Sequence, residues 1–292
     1  MESLGHFPMT INLLGAIEIR AIADELELRP KKSLGQNFVV DSNICQKIAR
    51  LAAVKSADHV VEIGPGIGSL TLALLDTGAR VTAIEVDSRL AARLPKTLAE
   101  HGAEKFEIII GDALEINSLS NDANKLVANL PYNISVPVFL NFLERFPSIK
   151  SGIVMVQSEV ARRLAATPGT KDYGAPSVKA AWWAKVELSD SVSRKVFWPI
   201  PNVDSSLVTF SRIEPVDRDE KLREITFSII DQAFGKRRKM LRSALSDFFG
   251  GSSSAERALS SIGIDPTLRG ESLGITDFVA IARANRMGGL VK

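Results

Sequence analysis

Five short runs of β-branched and aliphatic residues constrain this chain more than any other feature. They are "HVVEIG" (59–64), "RVTAIEV" (80–86), "FEIIIG" (106–111), "KLVAN" (125–129) and "GIVMVQ" (152–157). Each is too short for a helix and too continuously apolar for a strand with one wet face, so each reads as a strand buried on both sides. Helix-compatible stretches separate each run from the next. Strand, helix, strand in repetition is the signature of a parallel sheet with helices on both faces, and the expected fold is α/β and doubly wound, in the manner of a Rossmann-like sheet.

The rest of the chain fits around that sheet. "DSNICQKIARLAA" begins at Asp41, a good N-cap, and sets Ile44, Ile48 and Leu51 on one helical face. After Val186 the pattern shifts to "FWPIPNVDSSLVTFSRI", a proline-bounded loop leading into a late strand. From Asp219 the periodicity is helical, with Leu222, Ile225, Ile229 and Ala233 in register, and "GGSSSAERALSSIGI" is a glycine stop followed by a serine-capped helix. The expected domains are an N-terminal extension over 1–30, an α/β domain over 31–212 and a small all-α domain over 213–292.

Composition excludes several classes. With 292 residues, 45% hydrophobic and 24% charged, the chain is ordinary globular material. One cysteine, Cys45, precludes an internal disulfide, and three scattered histidines, His6, His59 and His101, argue against a zinc site. In "MTINLLGAIEIRAIADELELRP", Glu18, Arg20 and Asp24 interrupt the apolar run before it can act as a signal sequence. No uncharged run reaches membrane-spanning length, and a cytoplasmic location is expected.

Three strand ends carry a binding pattern. The first strand runs into Gly64, Gly66 and Gly68 and then a helix, as a chain must where its backbone passes close to a ligand. The spacing is G-x-G-x-G, whereas dinucleotide folds prefer G-x-G-x-x-G around a pyrophosphate. Glu85 ends the next strand, where a carboxylate can accept from two ribose hydroxyls. Asp112 follows the third and can accept from an adenine amino group. Taken singly they are a tight turn, a solvated strand end and a helix cap; in order on successive strands they describe a pocket for an adenosine without phosphates. S-adenosylmethionine fits that pocket better than NAD.

The fourth strand ends in "NLPYNIS", Asn129 to Ser135, at the same sheet edge. Together with "KSLGQNFVVD", "EIGPGIGSLT", "IEVD", "GDAL", "KDYGAPSV", "FWPIPNVDSSLV", "AFGKRRKMLRSAL" and "GIDPTLRGESL", this motif makes the chain resemble the bacterial 16S rRNA adenine N6,N6-dimethyltransferases from about Lys31 to Asn285. The resemblance implies a class I S-adenosylmethionine-dependent methyltransferase sheet with a C-terminal helical domain. It implies that Asn37, Val39, Gly64, Glu85, Asp112 and Asn129 hold the cofactor. Asn129 and the carbonyl of Leu130 or Pro131 would accept the two N6 hydrogens, Tyr132 would stack on the target base, and Phe197 would lie against its other face. Pro176 stands where the family usually has an aliphatic residue, which puts the shape of that loop in question.

The resemblance also implies an RNA partner, 16S rRNA within an assembling small subunit, and a monomeric enzyme. Lys236, Arg237, Arg238, Lys239 and Arg242 place five cations in seven residues of a chain whose net charge is only +2. A helix starting near Gly235 would set four of them against its macrodipole, a cost understandable if phosphate is the partner. Lys31 and Lys32 would extend the patch. Three other readings stand beside this one: an NAD-dependent oxidoreductase, a non-catalytic assembly factor that keeps the fold, and a 23S rRNA methyltransferase of the macrolide-resistance type.

Overall fold

The computed structural model describes residues 11–28, 37–236 and 238–287, excluding the side chains of 286 and 287. The chain divides into two compact units. One comprises the residues up to Ala161 together with Leu188–Ser211, and the other Arg162–Glu187 with Arg212 onward.

The first unit begins with helix α1 (Ala16–Glu25), the short strand β1 (Phe38–Val39) and α2 (Ser42–Leu51). The five apolar runs follow as β2 (His59–Ile63), β3 (Arg80–Glu85), β4 (Phe106–Ile110), β5 (Lys125–Asn129) and β6 (Ser151–Gln157). Three of the intervening stretches are α3 (Ser69–Leu75), α4 (Ser88–Glu100) and α5 (Ser135–Arg145). Then come α6 (Ser158–Leu164), α7 (Ala175–Ala180), β7 (Ala184–Val192), β8 (Phe197–Trp198) and β9 (Ser205–Arg212). The main sheet has the order β4-β3-β2-β5-β6-β9-β7. β2 through β6 are parallel to one another, and β9 runs antiparallel to β6, from Ser151 opposite Ser211 to Gln157 opposite Ser205. β1 and β8 form a separate antiparallel pair.

The expected strands are all present, but one expected helix is not. Residues 111–124 carry turns only. The Asp112 carboxylate and carbonyl accept from Leu114 N and Glu115 N (both 2.9 Å), which closes a single turn. The Arg145 guanidinium then takes Ile116 O and the Asn117 side chain (3.3 and 2.9 Å), so side chains supply the partners a helix would have supplied. At the far end Asp122 bonds His59 Nδ1 (2.8 Å) and pairs with Arg80.

Asp41 caps α2 as expected, accepting from Asn43 N at 2.9 Å. The buried face of α2 is Cys45, Ile48 and Ala49, while Leu51 is exposed. Asp87 caps α4 in the same way, through Arg89 N. Helix α1, within the N-terminal extension, buries Ile19, Ile22 and Ala23. It is tied to the end of α4, where His101 bonds Asn12 O (2.6 Å) and Glu18 (2.8 Å).

The second unit adds α8 (Glu220–Gly235), α9 (Leu241–Ala244), α10 (Ser246–Phe249), α11 (Ser252–Ser261) and α12 (Ile275–Met287). It also takes in residues 162–187, with Tyr173 buried and its hydroxyl donating to Leu273 O at 2.8 Å. Pro176 lies in the first turn of α7, where a missing N–H costs no helical bond. No helix among the described residues is long and apolar enough to cross a membrane.

Candidate active site

A cavity of about 250 Å³ opens at the carboxyl ends of β2, β3, β4 and β5, where ligands bind in such sheets. Its wall includes Asn37, Val39, Gly64, Glu85, Asp112, Asn129, Leu130, Pro131 and Tyr132, so the structure brings together nearly every site residue inferred for cofactor and base. Phe38 and Glu62 line it as well.

The glycine loop is shaped by what lies against it. Gly66 has φ +58°, and a Cβ there would stand 3.0 Å from the Phe38 ring, so the aromatic and the bare backbone fit only without a side chain. Glu85 fastens the loop, its Oε2 accepting from Gly66 N at 3.1 Å and its Oε1 from Asp87 N at 2.9 Å. It is 5% exposed, and burial raises its pKa against the pull of those two bonds. A carboxylate has about four lone-pair directions, so Glu85 can still accept from a ligand hydroxyl beside its backbone bonds.

Glu62, 1% exposed, is the group that composition and motif spacing left without a role. Burial, with the charge of Glu85 adding to it, pushes its pKa up to about 8, so it is mostly neutral at pH 7. Its Oε2 has no hydrogen-bond partner among the described residues.

At the end of β5 the Asn129 amide has a fixed sense. Its Nδ2 donates to Asn37 O at 3.2 Å. A carbonyl can only accept, so the nitrogen must face it and Oδ1 is left as an acceptor. The Pro131 carbonyl accepts from Ile134 N at 3.2 Å, and Leu130 N is held by Met155 O at 3.0 Å. Tyr132 is half-buried and its hydroxyl bonds Ser205 Oγ at 2.7 Å, which holds the ring at the cavity edge.

Phe197, the remaining residue inferred for the base, lies apart from the others. It is 1% exposed, sits opposite Val39 in the β1–β8 pair and belongs to the hydrophobic core; it is not on the cavity wall. Strand pairing turns the ring inward, and Trp198, next along, stacks on Phe38 at 6.2 Å instead.

The cationic run also differs from expectation. α8 ends at Gly235 with Lys236 as its C-cap, so the charges follow a helix C-terminus, where the macrodipole favours cations. Lys236 pairs with Asp247 (2.7 Å) and Arg242 with Glu256 (3.1 Å), while Arg238 and Lys239 are exposed. Arg237, Lys31 and Lys32 lie outside the described residues.

The chemistry of the wall tests the inferred cofactor. Among the described residues it holds three carboxyl groups, Glu62, Glu85 and Asp112, and no Lys, Arg or His. A pyrophosphate would meet repulsion there; a sulfonium with an ammonium would meet complementary charge. The residues fit S-adenosylmethionine, and fold and site together define a class I S-adenosylmethionine-dependent methyltransferase.

The comparisons narrow the class. A family model described as ribosomal RNA adenine dimethylase matches residues 27–284. Ribosomal RNA small subunit methyltransferase A of Leifsonia xyli subsp. xyli is 50% identical over 275 residues, covering 93% of this chain and 98% of the relative. That of Kineococcus radiotolerans is 51% identical over 281 residues, covering 95% and 93%. Among solved structures, a dimethyladenosine transferase from Plasmodium falciparum superposes with a TM-score of 0.73 at 25% identity, covering 86% of this chain and 98% of the other. The 23S rRNA methyltransferase ErmE does so with a TM-score of 0.62 at 26% identity, covering 85% and 98%. The chain belongs to the ribosomal RNA adenine dimethylase family.

Proposed function

We propose that this enzyme methylates the N6 atoms of two adjacent adenosines in the 3′-terminal hairpin of 16S rRNA, adding four methyl groups in all while the small ribosomal subunit assembles. The observation that carries the reading is the Asn129 amide held by Asn37 O beside an acidic cavity with no Lys, Arg or His among the described residues of its wall. The relatives named for the small subunit, at about half identity over nearly their full length, favour 16S over 23S rRNA as substrate.

When bound, S-adenosylmethionine supplies a methyl group on an electrophilic sulfonium. Glu85 is suited to accept from the two ribose hydroxyls and Asp112 from the adenine amine, while Gly64, Asn37, Val39 and Asn129 enclose the ligand. An exocyclic adenine amine is a weak nucleophile because its lone pair is delocalised into the ring. Asn129 Oδ1 and a backbone carbonyl correct this by accepting both N6 hydrogens, which turns the lone pair out of conjugation and stabilises positive charge on nitrogen. The Leu130 carbonyl is the better second acceptor, because Pro131 O already serves Ile134 N. Tyr132, braced by Ser205, stacks on the base, an interaction worth about 1–3 kcal/mol. The alkylated nitrogen is acidic enough to release its proton to water or a nearby carbonyl, so no dedicated base is needed. Phe197 is the aromatic for the other face of the base in this reading, and its pairing opposite Val39 sets it next to a wall residue.

The methyltransferase domain expected over 31–212 gives up residues 162–187 to the second unit; in this reading the first unit carries the transfer, and the helical unit binds RNA, with Lys236, Arg237, Arg238, Lys239 and Arg242 meeting phosphate. The enzyme acts as a cytoplasmic monomer on the assembling subunit. The test is incubation of purified protein with labelled S-adenosylmethionine and small subunits lacking these methyl groups, followed by mass spectrometry of the rRNA. N6,N6-dimethyladenine at two neighbouring 16S positions is the expected result. No label in 16S rRNA, or label in 23S rRNA when large subunits are supplied in a parallel incubation, overturns the proposal.

A further inference from the structure

The loop Pro199–Asp204 has no part in the chemistry above, yet it is fastened at both ends to cavity-lining rings. At its start Trp198 stacks on Phe38, and at its end Ser205 holds the Tyr132 hydroxyl. Between those anchors Ser158 N donates to Asp204 O (3.0 Å), Asp204 Oδ1 accepts from Arg194 N (2.9 Å), and the Arg194 guanidinium donates to Asn202 O (3.2 Å). Pro199 and Pro201 restrict the backbone further. A loop so held is a rigid one, and beside the exposed polar Asn202 and Asp204 it turns two aliphatic side chains outward: Ile200 is 63% exposed and Val203 45%.

Exposed aliphatic side chains on a stiff loop beside a base-sized cavity call for an occupant. Two exposed cations, Arg194 and Lys195, stand on the adjoining turn, and the loop's only carboxylate, Asp204, is occupied by Arg194 N. Aliphatic side chains, flanking positive charge and attachment to two rings of the base pocket together match a nucleic-acid strand whose bases must part. Apolar wedges separate stacked bases in nucleic-acid complexes, and chemistry on a base requires its removal from the stack.

Resting on the function proposed above, we propose that Ile200 and Val203 form a wedge that packs against the nucleotide next to the target adenosine and holds it apart from that base, while Arg194 and Lys195 meet the adjoining phosphates. The wedge positions substrate and touches no reacting atom.

The test compares wild type, Ile200→Ser/Val203→Ser and the conservative Ile200→Leu/Val203→Ile in methyl transfer to unmethylated small subunits. The serine variant is expected to lose roughly tenfold in kcat/KM with unchanged S-adenosylmethionine affinity by calorimetry, and the conservative variant to keep activity. A second arm places a photo-crosslinking residue at Ile200, with label expected in rRNA beside the modified adenosines. A serine variant as active as wild type, or crosslinks that go to a ribosomal protein, overturns the wedge. Failure of wild type itself to methylate the subunits would instead remove the underlying function, which the same assay reads separately.

Discussion

The cavity at the sheet edge and the cationic turn after α8 handle polar groups in opposite ways. In the cavity each functional side chain is held by a short, sheltered bond: Glu85 by two backbone N–H groups, Asn129 by a carbonyl, Tyr132 by Ser205. At the turn the partners of Lys236 and Arg242 are carboxylates on solvated side chains, and exposed ion pairs of that kind contribute little to stability. The difference separates two tasks. Redirecting a lone pair demands fixed direction, whereas attracting phosphate demands only charge near the right place.

If that contrast holds, single changes in the cavity have large effects and changes at the turn have small, additive ones. Asn129→Ala is expected to lower transfer by about 10²–10³, comparable to removing one preorganised polar group from an active site, while weakening S-adenosylmethionine binding only a few-fold. Single-turnover rates beside calorimetric affinities would show it, and equal loss of both would break the assignment. Gly66→Ala comes next. Its Cβ meets the Phe38 ring in a left-handed backbone, so cofactor affinity should fall by roughly an order of magnitude, with about 1 kcal/mol lost in denaturant unfolding.

Glu62 sharpens the contrast through pH. Its pKa is raised on folding from about 4.5 to about 8, so the folded chain keeps a proton that the unfolded chain releases in that interval. The contribution is present in full below the unfolded value and is lost as pH climbs toward 8. Thermal unfolding across pH 5 to 9 should therefore show wild type losing stability toward the alkaline end, with Glu62→Gln flatter. Parallel curves would mean that the carboxyl is not held neutral. The smallest effect is reserved for the turn: Arg238→Gln with Lys239→Gln should reduce the salt slope of subunit binding by about 1 to 2 and leave the rate on saturating subunits unchanged. A slope that did not move would separate the turn from RNA altogether.

Much of the cavity is legible in the sequence because local pattern and position coincide there. A glycine loop, Glu85, Asp112 and Asn129 each follow a strand that composition alone reveals, and parallel strands bring their ends to one edge. Gly235 after the periodic run, with basic residues beyond it, carries the marks of a helix stop, so the end of α8 is legible there and a helix start is a misreading of that local signal. What stays hidden depends on distant partners. Residues 162–187 join the helical unit through contacts such as Tyr173 with Leu273, a hundred positions away. That Phe197 is buried depends on its pairing with Val39, far away in the sequence. Residues 111–124 are helix-compatible by spacing, but Asp112 and Arg145 complete a turn instead.

The bond from Asn129 to Asn37 O has a consequence for heritable variation. Its acceptor is main chain, which every amino acid carries, so no substitution at position 37 can delete it. The sense of the acceptor amide is thus insulated from point mutation on that side and answers only to the path of the backbone. An insertion or deletion near residue 37 should disarm the enzyme where replacement of its side chain would leave this bond intact.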